Sequence, residues 1–258
     1  MKRVLKKFFN LLGYNIFKIR KEAKGGNFPT TYADISEEVK NIYRECLPYT
    51  LISLERIEAI VNAIDYICKY KLPGDIIECG VWRGGAMYAA AKALSSRKCY
   101  DRKIFLFDTF EVDAMFATPN ETPHDMSYAG KTVNELMSTG EYKKEDYNYR
   151  IEDVKSLLLS TGYPEENLIF KVGRIEKTLP TDDVSQIALL RLDTDWYEST
   201  KHELIHLFPK LVKGGVLLID DYGHWQGCRK AVDEYISENS LQILLHRTDY
   251  TGRSAVKL

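Results

Sequence analysis

Apolar positions change their period along this chain. Between residues 53 and 67, Leu54, Ile57, Ile60, Val61, Ile64 and Ile67 recur every three or four residues. That spacing is one face of an amphipathic helix. Ser53 opens it and Pro73-Gly74 closes it. Ser36, followed by Glu37, Glu38 and Val39, marks an earlier helix start. From residue 75 the pattern becomes short continuous apolar runs, at 75–79, 104–107, 168–172, 187–192 and 215–219. Such runs read as strands buried on both faces. Helical patterns at 86–94, 199–211 and 228–238 fall between them, and 241–245 with 255–258 is expected as a terminal strand pair. The alternation predicts an α/β fold with a mostly parallel sheet covered by helices on both faces. Ligands in such sheets bind beyond the carboxyl ends of the strands.

Two stretches break the pattern. Residues 111–150 are polar and rich in Gly, Pro, Asn and Tyr, which predicts a lid insertion. Residues 1–26 are crowded with Lys and Arg, and Val4, Leu5, Phe8, Phe9, Leu11 and Leu12 recur at helical spacing. No long uncharged run follows, so this is not a secretion signal. Two readings stay open for this basic amphipathic helix: packing on the domain or a partner subunit, or peripheral contact of residues 1–24 with an anionic membrane face. The expected organisation is therefore this segment, a helical cap over 27–72, and a catalytic-sized domain over 73–258. Lys and Arg number 36 against 37 Asp and Glu, a net charge of −1, which argues against nucleic acid as the main partner. The five cysteines (Cys46, Cys68, Cys79, Cys99, Cys228) form no CxxC pair. That suits a reducing, cytoplasmic setting, with the inner membrane face as its variant. A homo-oligomer is expected.

Chemistry concentrates at the strand ends. Glu78-Cys79-Gly80-Val81-Trp82-Arg83-Gly84-Gly85 follows the first strand and opens a helix. Its glycines permit a tight turn and close approach of a ligand to main-chain N–H groups. The dinucleotide pattern GxGxxG is absent, and an acidic residue here suits a cationic, amino-bearing ligand better than a pyrophosphate. Asp108 ends the second strand, where a carboxylate can accept both hydroxyls of a ribose. Together they suggest an adenosine ligand with an amino-acid end, S-adenosylmethionine. Asp193, Asp195, Asp220 and Asp221 lie after the fourth and fifth strands. Converging carboxylates in a shielded cleft repel. A hard divalent cation such as Mg²⁺, Mn²⁺ or Ca²⁺ relieves this, and no His/Cys set competes for Zn²⁺. The alternative for each Asp singly is helix capping or a pair with Arg191. His224 is open between substrate contact, auxiliary base and a solvated loop residue. His202 and His206 read as an ordinary helix face, and His124 and Asp125 fall in the lid. Tyr128, Tyr222 and Trp225 suit either stacking on sugar faces or packing.

The runs IIECGVWRGGAMYAAAKAL, IFLFDTFE, VGRIEKTLP and LLRLDTDWYESTKHELIHLFPKLVKGGVLLIDDYGHWQGCRKAVDEY resemble the macrocin O-methyltransferase family from about Tyr49 onwards. That resemblance implies a Rossmann-like class I methyltransferase with a seven-stranded sheet, which uses S-adenosylmethionine and Mg²⁺ to methylate a sugar hydroxyl. It implies cofactor contacts at Glu78, Gly80, Trp82, Gly84, Asp108 and Thr109, with Thr50, Ser53 and Arg56 in the segment that covers the cofactor. Asp193, Asp220 and Asp221 would hold the metal, and Asp193 would serve as general base, with His224 as an auxiliary catalytic residue. Val112 replaces the glycine expected after FDTFE. The acceptor would be a sugar of a surface polysaccharide, a lipid-linked glycan, a nucleotide sugar or a glycosylated natural product. A catechol-type acceptor, or a non-catalytic S-adenosylmethionine-binding protein, are the rival readings.

Overall fold

The structure, a computed structural model, describes residues 28–110, 122–138 and 149–258. The basic segment 1–26 and parts of the expected lid lie outside the described residues. Helices α1 (Glu37–Cys46) and α2 (Leu54–Lys69) form the cap. Each starts as the sequence predicts, with the Ser36 hydroxyl accepting from Val39 N (3.3 Å) and Ser53 from Arg56 N (3.2 Å). The core follows as β1 (Asp75–Cys79), α3 (Gly85–Ser96), β2 (Ile104–Asp108), α4 (Val133–Ser138), α5 (Ile151–Leu159), β3 (Leu168–Val172) and α6 (Ile175–Thr178). It continues through β4 (Ile187–Leu192), α7 (Tyr197–Leu207), β5 (Leu211–Ile219), α8 (Gln226–Glu238), β6 (His246–Arg247) and β7 (Arg253–Val256).

The seven strands form one sheet in the order β3-β2-β1-β4-β5-β7-β6. The first five are parallel, and β7 runs antiparallel to both of its neighbours. Chain order reverses between β1 and β4, so a ligand crevice is expected above those two strand ends. Side chains alternate across the sheet. Ile76, Ile104, Leu106 and Leu218 face the core shared with α1, α2 and α3. Ile77, Cys79, Phe105, Phe107, Leu190, Leu192 and Ile219 face the core under α7 and α8.

Three details depart from the sequence reading. The helix expected over 199–211 stops at Leu207, because Pro209 cannot continue it, and a 3-10 turn over Phe208–Lys210 leads into β5 four residues early. The run 241–245 is not a strand: Leu241, Ile243 and Leu245 pack on the second core, and His246–Arg247 pairs with β7 instead. Residues 122–138 of the expected lid form a docked strap. Ser127 bridges Trp225, Tyr128 N donates to His224 O (3.0 Å), and Gln226 N donates to Met126 O (2.9 Å). Asp125, fully buried, accepts from Tyr197 N (2.8 Å) and Thr122 N (2.7 Å). It thereby caps α7 from 72 residues away in sequence.

Gly74, before β1, has φ 107°, and a Cβ there would lie 2.8 Å from the Ile187 carbonyl carbon. Gly74→Ala should therefore destabilise the protein by roughly 1–3 kcal/mol, read as a lower urea midpoint. Donor affinity should stay at the wild-type value, because Gly74 sits at the opposite end of β1 from the glycine loop.

Candidate active site

Register builds the site. Cys79 pairs with Phe107 and Leu192, and Leu192 pairs with Ile219. The next residues, Asp108, Gly80, Asp193 and Asp220, therefore form one row across four adjacent strand ends. Main-chain bonds extend the ladder into this row: Gly80 N to Phe107 O (2.9 Å), Asp193 N to Cys79 O (2.8 Å) and Asp220 N to Leu192 O (2.9 Å). The approach is so close that a Cβ on Gly80 (φ 85°) would stand 1.8 Å from Asp193 O. Only glycine fits there.

The same alternation places two buried charges. Glu78 and Arg191 are register partners on the face turned toward the cap. Both are buried, and Arg191 Nη1 donates to Glu78 Oε1 at 2.6 Å. Arg191 also reaches Asp193 Oδ2 (2.7 Å) and Asp220 Oδ1 (2.5 Å). Burial opposes its charge, but Asp193, Asp220 and Glu78 outweigh that and hold it protonated. Arg56, from α2 of the cap, binds the other oxygen of Asp220 and also Asp249 (3.0 Å). Ser53 donates to Asp249 as well (2.7 Å). Burial would raise the Asp220 pKa, yet the two guanidiniums outweigh it and hold this carboxyl below its usual range.

Its neighbours go the other way. Burial pushes Asp193 up to about 6 and Asp195 up to about 7, and carries Asp221 well above the usual carboxylate range. One carboxylate oxygen from each of Asp193, Asp220 and Asp221 lies within 4.8 Å of the others. The two guanidiniums of Arg56 and Arg191 pair with Glu78, Asp193, Asp220 and Asp249, while Asp195 and Asp221 stand beside them as further acids. The excess of buried negative charge and the all-oxygen donor set fit a hard divalent cation.

A cavity of about 370 Å³ joins this cluster to the glycine loop. On the loop side it is lined by Gly80, Trp82, Asp108 and Thr109, with Thr50 from the segment before α2. A Cβ on Gly85 would lie 2.5 Å from Tyr49 O, which shows how closely that segment covers the loop. The Asp108 carboxylate organises the loop, accepting from Val81 N (2.7 Å), Trp82 N (3.0 Å), Phe110 N (2.8 Å) and the Tyr149 hydroxyl (3.3 Å). On the carboxylate side the walls are Asp193, Asp195, Asp220, Asp221, His224, Trp196 and Trp225.

The macrocin O-methyltransferase family profile matches residues 20–255. The chain belongs to this family. The match begins well before Tyr49, so the helical cap is part of the family unit. Demethyldecarbamoylnovobiocin O-methyltransferase of Streptomyces niveus is 31% identical over 211 residues, 81% of this chain and 76% of that one. Mycinamicin III 3''-O-methyltransferase of Micromonospora griseorubida is 28% identical over 204 residues, 79% and 76% of the two chains. The solved structure of the O-methyltransferase NovP superposes with a TM-score of 0.70 at 29% identity, covering 81% of this chain and 82% of that one. The protein is an S-adenosylmethionine-dependent O-methyltransferase of the macrocin family with a class I, Rossmann-like α/β fold.

Within that family fold, the structure brings together most of the residues singled out from the sequence. Thr50, Arg56, Gly80, Trp82, Asp108, Thr109, Asp193, Asp220, Asp221 and His224 all line the one cavity. Three do not reach its wall. Ser53 caps α2 and holds Asp249; Gly84 (φ 83°) is the left-handed start of α3; Glu78 is sealed behind the loop on Arg191. Arg56 lines the cavity but is engaged by Asp220 and Asp249. His224 Nδ1 lies 3.1 Å from the Tyr250 hydroxyl at the cavity edge. Sequence reasoning offered Arg191 only as an alternative partner for a single Asp, and the structure pairs it with Asp193, Asp220 and Glu78 at once. It placed Asp195 in the strand-end acid cluster without a role as ligand or base, and only the fold shows its left-handed backbone (φ 69°) and its place against Asp221.

Removing the Arg191 guanidinium leaves Glu78 and Asp220 buried without their shared partner. Arg191→Met should cost about 3–5 kcal/mol, measured by urea unfolding; a loss below about 1 kcal/mol, the range of an exposed pair, would contradict the buried network.

Proposed function

We propose that this enzyme methylates a hydroxyl of a sugar, with Mg²⁺ held by Asp193, Asp220 and Asp221. The observation that carries the reading is the single cavity shared by the glycine loop and the three-carboxylate cluster. The donor binds along Gly80, Trp82, Asp108 and Thr109, under Thr50. The methyl group leaves the sulfonium sulfur as its carbon bonds to the acceptor oxygen, and the hydroxyl proton passes to a carboxylate. The products are a methyl ether and S-adenosylhomocysteine. Asp193 is assigned as proton acceptor, because its carboxylate stands in the carboxylate cluster while its main chain and Cβ lie against Gly80 of the glycine loop. A bound divalent cation lowers the pKa of a coordinated hydroxyl and stabilises the alkoxide that develops. A relative from Streptomyces olivaceus, 27% identical over 208 residues, is named as the 4'-O-methyltransferase of a rhamnosyl-tetracenomycin, and this supports a glycosyl unit as acceptor here. His224, with Trp196 and Trp225 beside it, is assigned as an acceptor contact rather than a base, since it stands at the cavity edge against Tyr250.

Asp221 is the ligand to test, because Asp220→Ala would also strip a partner from two guanidiniums. Asp221→Asn should abolish metal-dependent turnover and weaken Mg²⁺ binding, while calorimetry with S-adenosylhomocysteine shows near-wild-type affinity. Equal loss of both affinities would count against this division of labour. The acceptor is tested by mass spectrometry, as a gain of one methyl on a candidate glycan that is lost with EDTA and restored by Mg²⁺. Turnover that persists unchanged in EDTA would sink the metal assignment.

No helix among the described residues is long and apolar enough to cross a membrane. The alternation of Lys2, Arg3, Lys6 and Lys7 with apolar residues supports a peripheral contact of residues 1–24 with anionic lipid. The full chain should then co-sediment with phosphatidylserine vesicles and a chain lacking residues 1–24 should not.

A further inference from the structure

Glu203 sits fully buried on the inner face of α7, beside Ser199, Thr200, Leu204 and Leu207. Among the described residues it has one hydrogen bond, received from the Thr194 hydroxyl on Oε1 at 2.8 Å, while Oε2 is sealed from solvent with no partner there. No arginine or lysine pairs with it among the described residues. Burial drives its proton affinity well above that of an ordinary carboxyl. Leucine at this position would fill the same face without that desolvation cost. A half-satisfied buried acid is a feature that stability alone does not explain.

Its single partner lies in the turn that carries the metal-site acids. Thr194 separates Asp193 from Asp195, and Asp195 holds a left-handed backbone at φ 69°. From that conformation Asp195 N donates to Asp221 Oδ2 at 3.2 Å. The turn therefore touches two of the three proposed ligands: it bears Asp193 and it orients Asp221. One helical turn before Glu203, on the same face of α7, Ser199 donates to Thr194 O and Trp196 O, both at 3.3 Å. Residues 199 and 203 thus grip Thr194 by its carbonyl and by its hydroxyl.

We propose that Glu203 is a positioning residue for the metal centre, fixing the Asp193–Asp195 turn through the Thr194 hydroxyl. The inference rests on the metal reading above. Outer partners of this kind change metal affinity about 10–100-fold when removed, without touching the ion.

The test is Mn²⁺ titration of the full chain by electron paramagnetic resonance, with thermal midpoints and S-adenosylhomocysteine affinity measured alongside. Thr194→Val should weaken Mn²⁺ about 10–100-fold, and Thr194→Ser, which keeps the hydroxyl, should bind as wild type does. Glu203→Leu should weaken Mn²⁺ to the same extent while keeping or raising the thermal midpoint. The double variant should lose no more than either single one, because both break one interaction. Wild-type Mn²⁺ affinity in Thr194→Val overturns the inference, even if its midpoint falls. So does additive loss in the double variant. Should Glu203→Leu fail to fold, the Val and Ser variants at 194 decide alone. A wild-type chain that binds no Mn²⁺ overturns the metal reading itself, and this inference with it, before any variant is compared.

Discussion

One buried guanidinium organises this molecule. Arg191 stands one residue before the end of the central strand β4, where its neighbours in sequence are leucines. A charge there is tolerated only with partners, and each partner comes from a different element: Glu78 from β1, Asp193 from the β4 end, Asp220 from the β5 end. The three strand ends are thereby held at one level by electrostatics as well as by the hydrogen-bond ladder. Arg56 repeats the device from outside the sheet. It ties the cap helix α2 to Asp220 and, through Asp249, to the turn between β6 and β7. The cap and the carboxy-terminal hairpin are 196 residues apart at Ser53 and Asp249, yet they close on the same carboxylate cluster. This explains why the family match spans the cap as well as the sheet.

The network also makes the three clustered aspartates unequal. Among the described residues, Asp220 has a guanidinium on each oxygen, Asp193 has one on a single oxygen, and Asp221 contacts no guanidinium directly. Proton affinity follows that order, with Asp220 lowered, Asp193 at about 6 and Asp221 well above the usual range. Asp220 is a fixed anchor whose charge is already compensated. Asp221 lacks such a partner, so its ionised form is the one that a cation at the cluster would stabilise most. A compensated anchor beside an uncompensated neighbour gives a cluster that is preorganised and still suited to a cation.

The sequence carried the sheet because parallel strands buried on both faces leave an unmistakable apolar run, and it carried the row of strand-end acids because such runs end where ligands bind. It failed where tertiary partners decide. The run 241–245 has strand-like composition, but its side chains found the second core while the edge position beside β7 went to His246–Arg247. Glu78 looked like a cofactor contact from its place in the loop. Its register opposite Arg191, invisible without strand pairing, turns it inward instead. Ser53 was read twice, as helix cap and as cofactor contact, and the capping role, which is local, is the one its hydroxyl performs. Asp125 gave no local signal at all, because its partner Tyr197 N is in another element.

The two ends of the cavity are consequently built by different physics. The glycine-loop end consists of strand ends and a loop packed so closely that Gly80 and Gly85 admit no Cβ. Little can change there without breaking the sheet. The carboxylate end is walled by Trp196 and Trp225, whose rings lie 5.0 Å apart, and Trp225 pairs with Ser127 of the strap over 122–138. That strap is attached by a few main-chain bonds and by Asp125, against which Gly227 leaves no room for a side chain. Its attachment points belong to the fold, as do Val133 and Leu136, which are buried in the second core, whereas Tyr128 and its neighbours stand exposed. A family that methylates different acceptors with one donor can change the strap's exposed residues while the Asp125 anchorage keeps them at the same height above the carboxylate row.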